Sequence, residues 1–308
     1  MSSNPVSPVP VAVVIPCYNH GHFLGEAIAS AFQQAYRPVE VVVVDDGSTD
    51  ATIEVASRYG VRCVRQTNRG LPAARNAGLA AVTGDYVVFL DADDRLLPGA
   101  LEVGAAALDR HPEAVFAVGR HRCIAADGTR LPSTQRPRVD HDHYVSLVRW
   151  CWIVMPAVAI FRRTALEQVG GFDPTYRYAE DYDLYLRLTW RYPIVDHYTE
   201  VAEYRQHAAT LSRNAEQMLP ATLRLLRAHR PGPGATPAHR AAYRARDNAV
   251  WYFDRLLEQA ATDLRARRWR PAGRALLIFA RHLPQHPAYA RRRLTTPLRL
   301  ATRMLARA

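Results

Sequence analysis

Four short Val-rich runs in the first ninety residues, Val11 to Ile15, Val39 to Val44, Val61 to Val64 and Tyr86 to Leu90, constrain this chain more than any other feature. Each has strand length and is apolar almost without a break, the pattern of strands covered on both faces. Helix-period segments separate them. Between the first two, Phe23, Leu24, Ala27, Ile28, Ala31 and Phe32 recur at helical spacing and predict one buried stripe, and Pro38 ends the connection. Alternating strands and crossover helices mean an α/β fold on a largely parallel sheet.

Further along, a helix is predicted from about Pro98 to Arg110, then an apolar run from Ala114 to Val118 and a hairpin-type turn at Asp127-Gly128. Residues 131 to 143 are polar and contain Pro, which reads as a loop over the site. Trp152 to Phe161 is a fresh apolar segment; Gly170-Gly171-Phe172-Asp173 follows, then a helix from about Glu180 to Trp190. The segment PGPGATP at 231 to 237 looks like a linker, with an Ala, Leu and Arg-rich helical tail beyond it and no internal repeat. The expected organisation is one α/β domain over 1–220, which the motifs below make the catalytic one, and a helical extension over 221–308.

Charge divides at the same place. Residues 1 to 220 carry 21 Arg against 25 acids, and residues 221 to 308 carry 19 Arg against 4. No Lys occurs, so Arg usage reflects the genome more than the chemistry of single positions. Cys17, Cys63, Cys123 and Cys151 lie far apart with no CxxC pair, which argues against a zinc knuckle or a disulfide framework and for a reduced, cytoplasmic compartment. Neither a signal peptide nor a run of roughly 18 apolar residues is present.

Four segments carry chemistry. Ile15-Pro16-Cys17-Tyr18-Asn19 ends the first strand, where open parallel sheets collect ligands. Asp45-Asp46-Gly47-Ser48-Thr49-Asp50 ends the second; Ser48 to Asp50 can cap the next helix, while the adjacent carboxylates of Asp45 and Asp46 repel and need another reason to be there. Asp91-Ala92-Asp93-Asp94 follows the fourth run, and three carboxylates in four residues offer hard oxygen ligands for Mg²⁺ or Mn²⁺, able in turn to bridge a diphosphate. Glu180, Asp181 and Asp183 open a helix, where the dipole favours acids and where a carboxylate could serve as general base.

These motifs, in this order, resemble the family 2 glycosyltransferases. The likeness runs from about Val11 to Ser212, through VAVVIPCYNHGHFLGEAI, VVVVDDGSTDAT, NRGLPAARNAGLAAVTGDYVVFLDADD and GGFDPTYRYAEDYDLYLRL. It implies a GT-A fold, with a Rossmann-like, mostly parallel central sheet flanked by helices and here a C-terminal helical extension. It further implies inverting transfer from a nucleotide diphosphate sugar, UDP first, with Mn²⁺ or Mg²⁺, to a glycan or lipid-linked acceptor such as those of bacterial envelope polysaccharides. Carried over by position, Pro16, Tyr18 and Asn19 would lie against the nucleoside and Asp45 would bind base or ribose. Asp91 and Asp93 would form the D-x-D motif, Asp91 near ribose and sugar and Asp93 on the metal. Asp181 would be the base, with Glu180 orienting donor or acceptor. Arg75 would face the donor phosphates or sugar, and His207, in Tyr204-Arg205-Gln206-His207, would reach the metal or diphosphate.

After Asp263 the chain holds twelve Arg and no acid, interleaved with Leu, Ile, Phe and Trp. This tail reads either as solvated helices on the catalytic domain or as an amphipathic surface meeting anionic lipid at the inner face of the plasma membrane. No zinc-finger, RNP-type or helix-turn-helix signature points to specific nucleic acid. Two rivals stand beside the transferase. An inactive sugar-nucleotide-binding or membrane-associated scaffold leaves Asp93 and Asp181 unexplained, and a sugar nucleotidyltransferase should carry a Gly-rich, Lys-containing phosphate loop, which is missing.

Overall fold

The computed structural model describes residues 9–132, 139, 142–207, 210, 214–244, 249–286 and 289. They fall into two compact units, one within 1–147 and 151–210, the other within 148–150 and 211–308. The division at 210 precedes the change of composition at 220, which lies inside a helix (Ala215–Ala228).

In the first unit the chain runs β1 (Val11–Cys17), α1 (Gly21–Phe32), β2 (Val39–Asp45), α2 (Thr52–Arg58), β3 (Arg62–Arg65), α3 (Leu71–Ala81), β4 (Tyr86–Phe89), β5 (Arg95–Leu96), α4 (Ala100–Arg110) and β6 (Phe116–Ala125). After α5 (His143–Arg149), whose last two residues belong to the other unit, come β7 (Ala159–Arg162), α6 (Arg163–Gln168), α7 (Glu180–Arg191) and β8 (Val195–Gln206). The eight strands form one sheet in the order β3-β2-β1-β4-β7-β6-β8-β5. β3, β2, β1 and β4 are parallel, as the Val-rich runs require. Beyond β4 the sheet is mixed: β7 runs antiparallel to β4 and β6, β8 parallel to β6, and β5 antiparallel to β8.

The core sits on both faces of the parallel half. Val11 to Val14 and Val42 to Val44 are fully buried, each Val side chain contributing on the order of 2 kcal/mol. Helix α3 packs on β1 through Gly78, where a Cβ would stand 2.2 Å from Val14 Cγ1. That close approach fixes the height of Arg75, one turn earlier. Of the predicted α1 stripe, Leu24, Ala27, Ile28 and Ala31 are buried, but Phe32 in the last turn is 42% exposed. The Asp127-Gly128 turn forms, with Gly128 at φ +85° and Ala125 N donating to Thr129 O. Of the loop predicted over 131 to 143, residues 133–138 and 140–141 lie outside the described residues.

The second unit contains α8 (Ala215–Ala228), α9 (Pro237–Arg244), α10 (Val250–Arg265) and α11 (Trp269–His282). Leu219, Leu223, Phe253, Leu256 and Phe279 form its core with Tyr289, whose hydroxyl donates to Asp254 Oδ1 at 2.7 Å. The PGPGATP segment connects α8 to α9.

Candidate active site

The first and third motifs meet because Pro16 ends a ladder. Leu90 N donates to Val14 O and Asp46 N to Cys17 O, so even residues of β1 face β4 and odd ones face β2. Pro16, buried in β1, has no N–H to give toward β4, and the β1–β4 pairing stops at Val14 and Phe89. Released from the sheet, the chain turns at once through Asp91 to Asp94, closed by Asp94 N to Asp91 O at 3.0 Å.

β5 then pairs with β8, Arg95 opposite Glu203, which brings the turn alongside Arg205 and His207. Arg205 is buried and holds the turn from several sides. Its backbone N donates to Asp94 Oδ1 at 2.8 Å, its Nε to Asp93 O at 2.7 Å, its Nη1 to Ala126 O at 2.7 Å and its Nη2 to Glu26 Oε2 at 2.6 Å. Burial, and then the charges of Asp93 and Asp91, push the Asp94 carboxyl well above its ordinary range. Asp94 is therefore a structural member of the turn, which leaves Asp91 and Asp93 as the carboxylates of this motif that can face a ligand. His207 Nε2 lies 2.8 Å from Asp93 Oδ2, and its ring packs near His20 and Phe23 at centroid distances of 5.6 and 5.3 Å.

The resemblance implies that Arg75 faces the donor phosphates or sugar; in the structure it is 1% exposed and both Nη atoms hold protein carboxylates. Nη2 reaches Asp91 Oδ1 at 2.7 Å and Nη1 reaches Glu180 Oε1 at 2.6 Å, joining motifs 89 residues apart in sequence through one guanidinium. Burial alone would weaken its charge, but Asp91 and Glu180 together raise its pKa. The guanidinium also lies 5.2 Å over the Phe172 ring.

The base motif is set by its loop. Asn76, next to Arg75, pairs with the Phe172 backbone in both directions, at 2.7 and 2.8 Å. Arg187 donates to Asp183 Oδ2, Val169 O and Gly171 O, each at 2.7 Å, so Asp183 fastens the Gly-Gly turn to α7 rather than facing a ligand. Ala179, at φ +61°, is a left-handed non-Gly residue just before α7, a strained position that aims Glu180 and Asp181. Glu180 is buried and its carboxyl is pushed up to about 7, because burial outweighs Arg75. Burial raises the half-buried Asp181 in the same way, with Arg75 opposing. Asp181 Oδ1 accepts from Tyr182 N at 2.7 Å.

At the end of β2, Asp45 is buried; its Oδ1 accepts from Ser48 N at 2.8 Å, while Oδ2 has no hydrogen-bond partner among the described residues and lies 3.5 Å from Arg65 Nε. An orphaned buried acceptor at the mouth of a sheet suits a ligand N–H. Asp46 is fully used by Gln66, Arg69 N and Gly70 N. Asn19, at φ +56°, accepts from Thr49 N at 2.8 Å and so ties the first motif to the second. Tyr18 beside it is 50% exposed.

Whether a divalent ion fits can be judged from the donors. Among the described residues no group of three or more His, Cys, Asp or Glu side chains could hold a metal ion. Asp93 and His207 supply one carboxylate and one imidazole already in contact, whereas Asp91 Oδ1 faces Arg75. Two protein donors fit Mn²⁺ or Mg²⁺ when a substrate diphosphate supplies further oxygens.

The profile of the family described as Glycosyl transferase family 2 matches residues 12–170. An uncharacterized glycosyltransferase of Rickettsia prowazekii is 26% identical over 238 residues, 71% of this chain and 70% of that one. Among solved structures, S. aureus TarS 1-349 in complex with UDP-GlcNAc superposes with a TM-score of 0.61 at 18% identity, covering 80% of this chain and 72% of that one. The mannosyltransferase PcManGT from Pyrobaculum calidifontis in complex with GDP-Man and Mn²⁺ gives 0.60 at 22% identity over 96% and 84%. The shared fold is the GT-A arrangement, with the mixed sheet flanked by helices.

Proposed function

Since this chain belongs to glycosyl transferase family 2, we propose that it moves a sugar, with inversion, from a nucleotide diphosphate sugar to a hydroxyl of a glycan or lipid-linked acceptor. The Arg75 bridge carries this reading. One guanidinium holds Asp91, from the motif that would face the donor, and Glu180, beside the residue that would activate the acceptor, at 2.7 and 2.6 Å. A donor-side and an acceptor-side carboxylate are thereby kept in one register without touching.

Asp181 takes the proton of the acceptor hydroxyl while that oxygen bonds to the anomeric carbon; the bond from this carbon to the diphosphate oxygen breaks on the opposite face. A carboxylate made more basic by burial is better suited to this than one in water. Glu180 orients the reacting groups, and Asp91 meets the sugar or ribose. Asp45 Oδ2 accepts the ring N–H of the base, Tyr18 offers its exposed ring to the nucleoside, and Pro16 and Asn19 shape the floor beneath it. When bound by Asp93 and His207, Mn²⁺ or Mg²⁺ would neutralise charge on the diphosphate. UDP is the nucleotide we test first, as TarS was solved with UDP-GlcNAc, and GDP second, as PcManGT was solved with GDP-Man. The protein would work in the cytoplasm or at the inner face of the plasma membrane, in envelope polysaccharide synthesis.

The test is nucleotide release and donor binding against a panel of UDP-, GDP- and dTDP-sugars with and without Mn²⁺, for wild type and Asp93→Ala, with the product anomer read by NMR. Release of one nucleotide, stimulated by Mn²⁺, lost in the variant and giving an inverted product, is the expected result. Binding of no member of the panel would overturn the reading.

A further inference from the structure

Helix α11 presents two neighbouring stripes to solvent. Positions 269, 273, 276 and 280 carry Trp, Gly, Leu and Ala; positions 270, 274, 277 and 281 carry Arg, Arg, Leu and Arg, and all eight are exposed. The opposite face, Ala272, Ala275 and Phe279, is buried in the core of the second unit. Trp269 is 67% exposed, Leu276 40% and Leu277 70%. Such side chains seldom stay in water together on a helix whose inner face is already satisfied. The helix is about 21 Å long at 1.5 Å per residue, and these eight positions stand exposed along it.

Charge identifies the occupant. The stripe of Arg270, Arg274 and Arg281 flanks the apolar one, and no acid follows Asp263 anywhere in the chain. Arg274 pairs with Glu216 at 3.1 Å, and among the described residues Arg270 and Arg281 are the cations on this face that no carboxylate pairs with. A nucleic acid would use the cations but has no place for Leu276 and Leu277. Trp and Leu beside Arg, on one face of a helix too short and too charged to span a bilayer, match the boundary between headgroups and acyl chains of an anionic membrane.

We propose that the outer face of α11 is a docking surface for an anionic lipid bilayer, Trp269, Leu276 and Leu277 entering the interface and Arg270 and Arg281 meeting the headgroups. This deepens the reading of the protein as one that works at a membrane face, but it does not depend on the chemistry of the active site. Docking would bring a lipid-linked acceptor within reach by confining the enzyme to the surface that carries it.

The experiment is flotation of the full chain with vesicles of phosphatidylcholine alone or with 30% phosphatidylglycerol (roughly the anionic share that gives a strong surface potential), at low and high salt. Wild type should float with the anionic vesicles only, and salt should release it. Trp269→Ser with Leu277→Ser should weaken binding at least about tenfold, and Arg270→Gln with Arg281→Gln on the order of tenfold or more. Far-UV circular dichroism and turnover on a soluble acceptor should stay as in wild type for both pairs, since all four residues are exposed. Asp181→Asn should float like wild type, which separates failure of the docking surface from failure of the catalytic reading. No flotation at low salt, equal flotation on neutral vesicles, or undiminished flotation of the Trp269/Leu277 pair would each overturn the proposal. So would a dimer of wild type that this pair dissolves in the absence of lipid binding, which would assign the face to a second copy of the chain.

Discussion

Replacing Arg75 by Met would remove the charge at the centre of the site while keeping most of its volume over the Phe172 ring. Two carboxylates then lose their partner. Glu180 is 7% exposed at its side chain and cannot rehydrate; Asp91 is 26% exposed and can in part. Removing one member of a buried ion pair costs about 3–5 kcal/mol. Protonation of Glu180 limits this, because burial already holds its carboxyl near 7, so at pH 8 a loss of about 3 kcal/mol is expected. With a urea dependence of about 2 kcal/mol per M, the transition of the first unit should move down by about 1.5 M. The sign with pH follows from the same acids: in the variant they are more stable protonated, so the loss should shrink from pH 8 toward pH 5. Urea titrations followed by far-UV circular dichroism at both pH values give the answer. A midpoint shift under about 0.5 M at pH 8, or an equal shift at the two pH values, would refute the idea that Arg75 is held there by charge.

Three further outcomes are expected. Asp181→Asn should lower turnover by about 10²–10⁴-fold with donor binding by calorimetry unchanged, as removal of a general base does. Wild-type stability should fall as pH rises from the ordinary carboxyl range through about 7, because Glu180 in the folded protein favours its protonated form; Glu180→Gln should flatten that part of the profile, read by thermal unfolding from pH 5 to 8. Gly78→Ala should cost about 1–3 kcal/mol by overpacking α3 against β1, where the new Cβ would stand 2.2 Å from Val14 Cγ1, and should lower activity through displacement of Arg75, measured by urea midpoint and turnover together.

The parallel half of the sheet was legible because a strand buried on both faces must be apolar throughout, and little else produces runs such as Val11 to Ile15 and Val39 to Val44. The acidic motifs were legible for a related reason: charge directly after such a run has to lie at the strand's end. Resemblance then supplied the family. Less was visible where one residue type does several jobs. Arg205, the buried clamp of the Asp91–Asp94 turn, is indistinguishable from surface Arg in the sequence, since in a chain without Lys each Arg carries little information. Asp94 and Asp183 look like Asp91 and Asp181 in sequence, yet they bind Arg205 and Arg187 and serve the scaffold.

By itself, then, the sequence determined which elements form and which strand ends are charged, because burial and backbone periodicity act over neighbouring residues. Only the tertiary structure decided which carboxylates face one another, that Arg75 joins Asp91 to Glu180 and that Asp93 meets His207. Those pairings depend on the order of strands in the sheet and on the depth at which α3 packs, and the electrostatics of a buried group is set by neighbours in space rather than in sequence.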